Sequence, residues 1–222
     1  EEQIKSIDLD VAYDFYKSSF ASAKGFTFVF VGSFKIDSLI PLVQKYIGSI
    51  PGEAAAKSWE DVSPEFPDGI TKATVRKGTE PKAAVALMMD EKFEWSVDER
   101  LKFSLLMKVL NIRMRESMRE DQGGVYGVRA RPNIEKYPKP SVNIMISWGC
   151  APENVDQLVQ TVFHEMDTLK MNGAKELNLN KAVETTLRDY ETNFEKNQYW
   201  LGKIKNSVYY EEQLLDLEEL QG

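Results

Sequence analysis

The residues best suited to chemistry in this 222-residue sequence lie in two short segments, and the first of them fails a simple spacing test. His164 is the only histidine and opens the run His164-Glu165-Met166-Asp167-Thr168. A zinc-binding H-E-x-x-H helix needs a second imidazole one turn later on the same face. Thr168 occupies that place, and the inverted H-x-x-E-H order fails there as well. Cys150 is the only cysteine, so neither an internal disulfide, a thiolate zinc knuckle nor a redox pair can form. The chain therefore holds no self-contained catalytic zinc site, and His164 reads as a surface or helix-face residue. Composition alone permits a Ser-His-Asp set or a Cys150 and His164 pair. No G-x-S-x-G elbow accompanies either, and Cys150 reads as an inert thiol beside a strand end.

The second segment is Arg119-Glu120-Asp121-Gln122-Gly123-Gly124-Val125-Tyr126-Gly127. Its glycines follow a helix and precede a strand, the reverse of the order that aims a helix N-terminus at phosphate, and the P-loop lysine is missing. A guanidinium in the last turn of a helix and a phenol at the start of the next strand can instead converge on one point, joined by a turn containing Gly123 and Gly124. Arg119 and Tyr126 then offer a permanent cation and a neutral donor, suited to a carbonyl oxygen that becomes an oxyanion when an amide is attacked. The structural alternatives are stabilisation of the helix end by Arg119 and packing at the core edge by Tyr126.

A formal charge of -7 and a pI near 5.0 argue against nucleic acid as a partner, because phosphate binding depends on clustered Lys and Arg. No apolar run approaches the roughly 20 residues needed to span a bilayer, so membrane insertion is not expected. No secretory signal opens the chain. The start at Glu1 without a methionine and the stop at Gly222 after an acidic helical stretch suggest a segment of a longer polypeptide, with any export signal outside it.

The elements that must position these residues follow from apolar periodicity. Ile7, Val11, Phe15 and Phe20 predict a helix, and Phe26 to Val31 predicts a buried strand closed by Gly32. Asp37 is a candidate N-cap for a second helix carrying Leu39, Leu42, Val43, Tyr46 and Ile47, with Pro41 near its first turn. Residues 52–69 read as a connector between a lead-in of residues 1–51 and a main body of residues 70–222. Ile70 to Arg76 and Lys82 to Met89 predict a hairpin turning around Gly78 and Pro81. Ser96 or Asp98 caps a long helix running to about Arg119, with Leu101, Leu105, Val109, Ile112 and Met118 inward, broken by Gly123 and Gly124. Val125 to Arg131 and Ser141 to Trp148 follow as strands. Helices are expected from Pro152 to Asn172, from Ala174 to Asn197, and from Tyr199 onwards. Clustered strands with helix pairs give an α+β fold class.

Several of these segments together resemble one family. Arg119 to Tyr126 resembles the R-x-x-x-G-x-x-Y element of the pitrilysin/insulinase-like zinc metallopeptidases. Tyr13-Asp14-Phe15-Tyr16-Lys17, then Phe26-Thr27-Phe28-Val29-Phe30-Val31-Gly32-Ser33-Phe34, then Lys45-Tyr46-Ile47-Gly48-Ser49-Ile50-Pro51, is similar to the segment introducing that family's non-catalytic domains. The resemblance implies a mixed, mostly antiparallel sheet backed by several helices, in a protein whose halves close around a peptide. It implies that residues 1–222 form an inactive domain lacking H-x-x-E-H, from the C-terminal half of a longer chain, with zinc held by the zinc-bearing domain of the same polypeptide. It further implies that Arg119 and Tyr126 reach the substrate carbonyl, with a peptide as the other partner. A structural assembly subunit and a peptide-binding module without proteolytic role are the alternatives; an H-x-x-E-H motif elsewhere in the parent sequence discriminates them.

Overall fold

The computed structural model describes residues 2–53, 59–120 and 125–214, apart from the side chains of residues 2, 3, 119, 120 and 126. It divides into two units, one of Asp61–Thr192 and one of Glu1–Glu60 with Asn193–Gly222.

The larger unit is organised by a central strand. β1 (Ala83–Lys92), β2 (Val125–Glu135) and β3 (Ser141–Cys150) form an antiparallel sheet in the order β1-β3-β2. β3 takes the middle because its alternation is the strongest: Val142, Ile146, Trp148 and Cys150 are buried on one face. Strand β1 runs from Ala83 opposite Cys150 to Lys92 opposite Ser141, presenting half-buried Val85, Leu87 and Met89 to the same side. The hairpin expected between Ile70 to Arg76 and β1 does not form. Ile70 is 90% exposed and Val75 89%, so that segment has no apolar face to bury, and β1 pairs with the better-patterned β3 instead.

The helix α4 (Val97–Arg115) begins where the sequence indicates, with the Ser96 hydroxyl accepting the Glu99 amide at 3.0 Å and Asp98 and Glu99 in the first turn. Its core stripe is Met107, Leu110 and Met114, with Val109 beside it, and Met118 in the turn that follows continues it. Of the residues expected inward, Val109 and Met118 are fully buried, while Leu101, Leu105 and Ile112 are only half-buried, so the centre of the inward face is rotated from the one expected. The helix α5 (Val155–Asn172) follows a 3-10 turn at Pro152–Asn154 and adds Leu158, Val162 and Leu169 to the same cluster. It ends at Gly173, whose φ of 71° suits glycine, and the Gly173 amide donates to the Leu169 carbonyl at 2.9 Å. Helix α6 (Glu176–Phe194) supplies buried Ala182.

Two polar contacts lock this core. Asn111 on α4 treats the edge of β2 as a partner strand would: its Nδ2 donates to the Ala130 carbonyl at 2.9 Å, and its Oδ1 accepts the Ala130 amide at 2.9 Å. Arg113 on α4 meets Glu165 on α5, with Nε donating to Oε2 at 2.7 Å, and both side chains are 11% exposed. Low dielectric strengthens such a pair, but removal of either member strands a charge in the core.

The smaller unit contains α1 (Glu2–Lys5), α2 (Leu9–Phe20), α3 (Ile36–Tyr46) and α7 (Asn197–Tyr210), and α2, α3 and α7 bury no residue. Asp8 caps α2 by accepting the Asp10 and Val11 amides. For α3 the expected cap is corrected: Lys35 is the N-cap without a side-chain bond, and Asp37 lies in the first turn. Pro41 sits inside that helix, where its ring leaves the Asp37 carbonyl without the usual amide. Phe26 to Val31 forms no strand, and Phe28 remains 42% exposed. An apolar run becomes a strand only with a ladder partner, and none pairs with it among the described residues. The aromatic rings instead pack locally, Phe20 on Phe26 at 5.9 Å and Phe194 on Trp200 at 5.1 Å, while the Trp200 indole donates to the Phe194 carbonyl.

Candidate functional site

The expected Arg/Tyr element spans the junction between α4 and β2. After Arg115 the helix continues as a π-helical turn, Glu116–Glu120, which contains Arg119. Ser117 Oγ donates back to the Arg113 carbonyl at 2.9 Å, and Met118 is fully buried, so the wide turn is pinned to the core immediately before Arg119. At the other end Val125 is 8% exposed and belongs to the same apolar cluster. The π-helical turn packs against β2, so the backbone carrying Arg119 and the strand carrying Tyr126 are neighbours. Gly123 and Gly124 lie outside the described residues, as do the side chains of Arg119 and Tyr126.

The backbone of β2 is irregular at Tyr126. Val125 stands opposite Cys150 and Val128 opposite Trp148, so Tyr126 and Gly127 share a β-bulge with one residue more than the partner strand. The π-turn and the bulge therefore bracket the element, one at each end. Both irregularities concentrate at functional sites because each inserts a residue out of register with its hydrogen-bond ladder. The sequence carries one signal for the bulge, a glycine inside the strand at Gly127. It carries none for the π-turn.

The other sequence candidates are committed or closed by their own environments, Cys150 even though it stands opposite Val125 at the edge of this junction. His164 is exposed on α5, whereas its neighbour Glu165 is buried and committed to Arg113. The acid of the His-Glu pair thus serves the core. Cys150 is buried at the end of β3, where burial pushes the thiol pKa up from its ordinary 9.0 and disfavours the thiolate needed by a nucleophile. The buried Trp148 indole N–H, which has no acceptor in hydrogen-bond geometry, partly offsets that shift, and Glu153 adds to it. Among the described residues no group of three or more His, Cys, Asp or Glu side chains converges. Among the same residues no helix is long and apolar enough to cross a membrane.

Sequence reasoning missed Asn111, the Arg113 and Glu165 pair, and the two exposed arginines of β2, Arg129 and Arg131. Their signals are non-local: a polar residue on a helix is recognisable as an edge plug or a core ion only once its partner strand or helix is in place.

Comparison with known proteins gives a consistent picture. The family described as Peptidase M16 inactive domain matches residues 6–186. A zinc protease PQQL-like protein of Arabidopsis thaliana is 24% identical over 217 residues, covering 91% of this chain and 23% of that protein. The crystal structure of the periplasmic protease PqqL from Escherichia coli superposes with a TM-score of 0.67 at 22% identity, over 80% of this chain and 20% of that one. The ferredoxin protease FusC in complex with Arabidopsis ferredoxin gives a TM-score of 0.73 at 18% identity, over 99% of this chain and 24% of that one. The chain thus spans about a quarter or less of the length of these relatives. The α+β fold is that of these protease domains, and the match over residues 6–186 makes this chain a member of the Peptidase M16 inactive domain family.

Proposed function

We propose that this chain is the supporting, substrate-binding part of a zinc metallopeptidase. It completes a peptide chamber and presents Arg119 and Tyr126 to the substrate carbonyl at a zinc site borne by another domain of the same polypeptide. The family match carries this reading, and the naming of its relatives as zinc proteases supports it. FusC, crystallised with ferredoxin, supports a protein or peptide as the bound species. The bracketing of the Arg119 to Tyr126 element by a π-turn and a β-bulge supports a specialised role for it.

Zinc, held elsewhere, supplies the Lewis acid for amide hydrolysis. The contribution of this chain is donor chemistry. A guanidinium keeps its charge throughout the working pH range and fixes the carbonyl in a fork, while a phenol donates one hydrogen bond without adding charge. Donors aimed at the developing oxyanion stabilise the transition state more than the ground state, which is what raises turnover. Replacement of Tyr126 by Phe in the full-length enzyme is expected to lower peptide turnover by roughly 100-fold, because a single such donor is worth about that much. Unchanged turnover by a folded variant would remove the assigned role.

A further inference from the structure

The face of the sheet turned away from α4 and α5 carries a charge arrangement unlike the rest of this acidic chain. By register, Met88 on β1, Met145 on β3 and Arg131 on β2 form one cross-strand row, and Ala86, Ser147 and Arg129 form the next. Arg129 and Arg131 are exposed. Neither guanidinium takes part in an ion pair or side-chain hydrogen bond among the described residues, in a chain whose formal charge is -7. Several other basic residues of the larger unit are already engaged: Lys102 by Asp98 and Glu99, Lys108 by Asp189, Lys139 by Glu65, and Arg188 by Glu184.

Beside Arg131 the face hollows into a cavity of about 200 Å³, lined by Phe66, Met88, Met145, Asn133 and Asn143 among others. Met88 is 63% exposed, a large apolar side chain held at a sheet surface in the same row as Arg131, with Met145 between them. Methionine adapts its shape to varied side chains, and the asparagines provide neutral donors and acceptors at the rim. The acidic residues of this face beyond the two rows are Glu135 on β2, whose carboxylate accepts from Asn133 Nδ2 at 2.8 Å, and Asp90 on β1, opposite Asn143 and one row beyond Met88. Asp90 stands on the far strand from Arg129 and Arg131, and Glu135 stands two rows beyond Arg131.

We propose that this open face binds an extended acidic peptide segment. Alternate residues of a strand share a face, so Arg129 and Arg131 sit about 7 Å apart along β2. An extended ligand has the same period: carboxylates at alternate positions meet the two guanidinium groups, and an apolar side chain one further alternate position along, level with Asn133 and Asn143, enters the cavity that these line together with Met145 and Met88. Charge complementarity selects the acidic class, and the cavity selects an apolar flank. This deepens the peptide-binding part of the proposed function, naming a substrate class, and does not involve Arg119 or Tyr126.

The test is binding of a fluorescently labelled peptide with Leu, Glu and Glu at alternate positions and Thr between them, measured against its Gln counterpart on the 222-residue chain. The native chain is expected to prefer the Glu peptide by roughly tenfold or more at low salt, as expected for two charge-assisted contacts, and to lose that preference as salt screens them. The double variant Arg129→Gln, Arg131→Gln should bind both peptides equally, with its thermal unfolding unchanged because both side chains are exposed. Equal binding of the two peptides by the native chain, or a preference that survives in the double variant, overturns the proposal. Because the readout is binding, failure here leaves the Tyr126→Phe turnover result standing, and failure of that result leaves this one intact.

Discussion

The two units of this chain contain similar apolar material and use it differently. In the larger unit, alternation along β3 and the Met107, Leu110, Met114 stripe of α4, continued by Met118, meet on one side of a sheet and exclude water from it. In the smaller unit, α2 carries Leu9, Val11, Phe15 and Phe20 and the following segment carries Phe26, Phe28 and Phe30, yet all of them are exposed. Hydrophobic content therefore does not make a core by itself. A core requires a second layer, and in the larger unit that layer is the sheet that β3 holds together.

The comparison is sharpest at the Arg113 and Glu165 pair. Glu165→Gln leaves the guanidinium buried opposite a neutral amide and should cost on the order of 3 kcal/mol of stability in chemical denaturation. Replacing both residues by methionine should recover most of that loss, because two buried charges are then exchanged for packing. Phe28→Ala in the smaller unit deletes a larger apolar side chain, but one already 42% exposed, and should cost less than about 1 kcal/mol. If the phenylalanine variant proves the more damaging, the assignment of the stable core to the larger unit is wrong.

A smaller effect separates the two units at their helix starts. Ser96 Oγ accepts the Glu99 amide at the start of α4, so Ser96→Ala should cost about 1 kcal/mol. α3 has no side-chain cap bond, and there Asp37→Ala should remove only the dipole interaction, about 0.5 kcal/mol at low salt and less at high salt. Equal losses would mean that the Ser96 cap contributes nothing beyond charge.

Much of the larger unit was legible in the sequence because its signals are local. Ser96 before an apolar period, Gly173 after one, and Val142, Ile146 and Trp148 in alternation each name an element without reference to the rest of the chain. What was not legible depends on partners. Phe26 to Val31 has the composition of a buried strand, but strand formation is decided by a neighbour the segment does not contain. The rotation of the inward face of α4 follows from the placement of β2 and α5, as does the conversion of Asn111 and Glu165 from ordinary helix residues into an edge plug and a core ion. At the candidate site the Arg119 and Tyr126 spacing was readable, whereas the π-turn and bulge that bracket it are departures from regular ladders, which periodicity cannot register.

The finest test of the core concerns Cys150 and alkaline pH. Burial raises the thiol pKa above its ordinary 9.0, so between 9.0 and the folded value the unfolded chain has released a proton that the folded chain retains. The unfolded state then binds fewer protons, and stability must fall as pH rises through that window, with a slope of at most about 1.4 kcal/mol per pH unit from one group. Below the window the contribution is constant. Tyr190, also raised by burial from 10.0, adds a second decline that begins higher. Cys150→Ala shifts the whole curve slightly by removing a small side chain, so the diagnostic quantity is the slope. Denaturation measured across this range should lose its first decline in the variant and keep the second. A first decline of equal slope in both proteins would show that the thiol stays accessible to water in the folded state, and that the edge of the larger core is more open than the buried end of β3 implies.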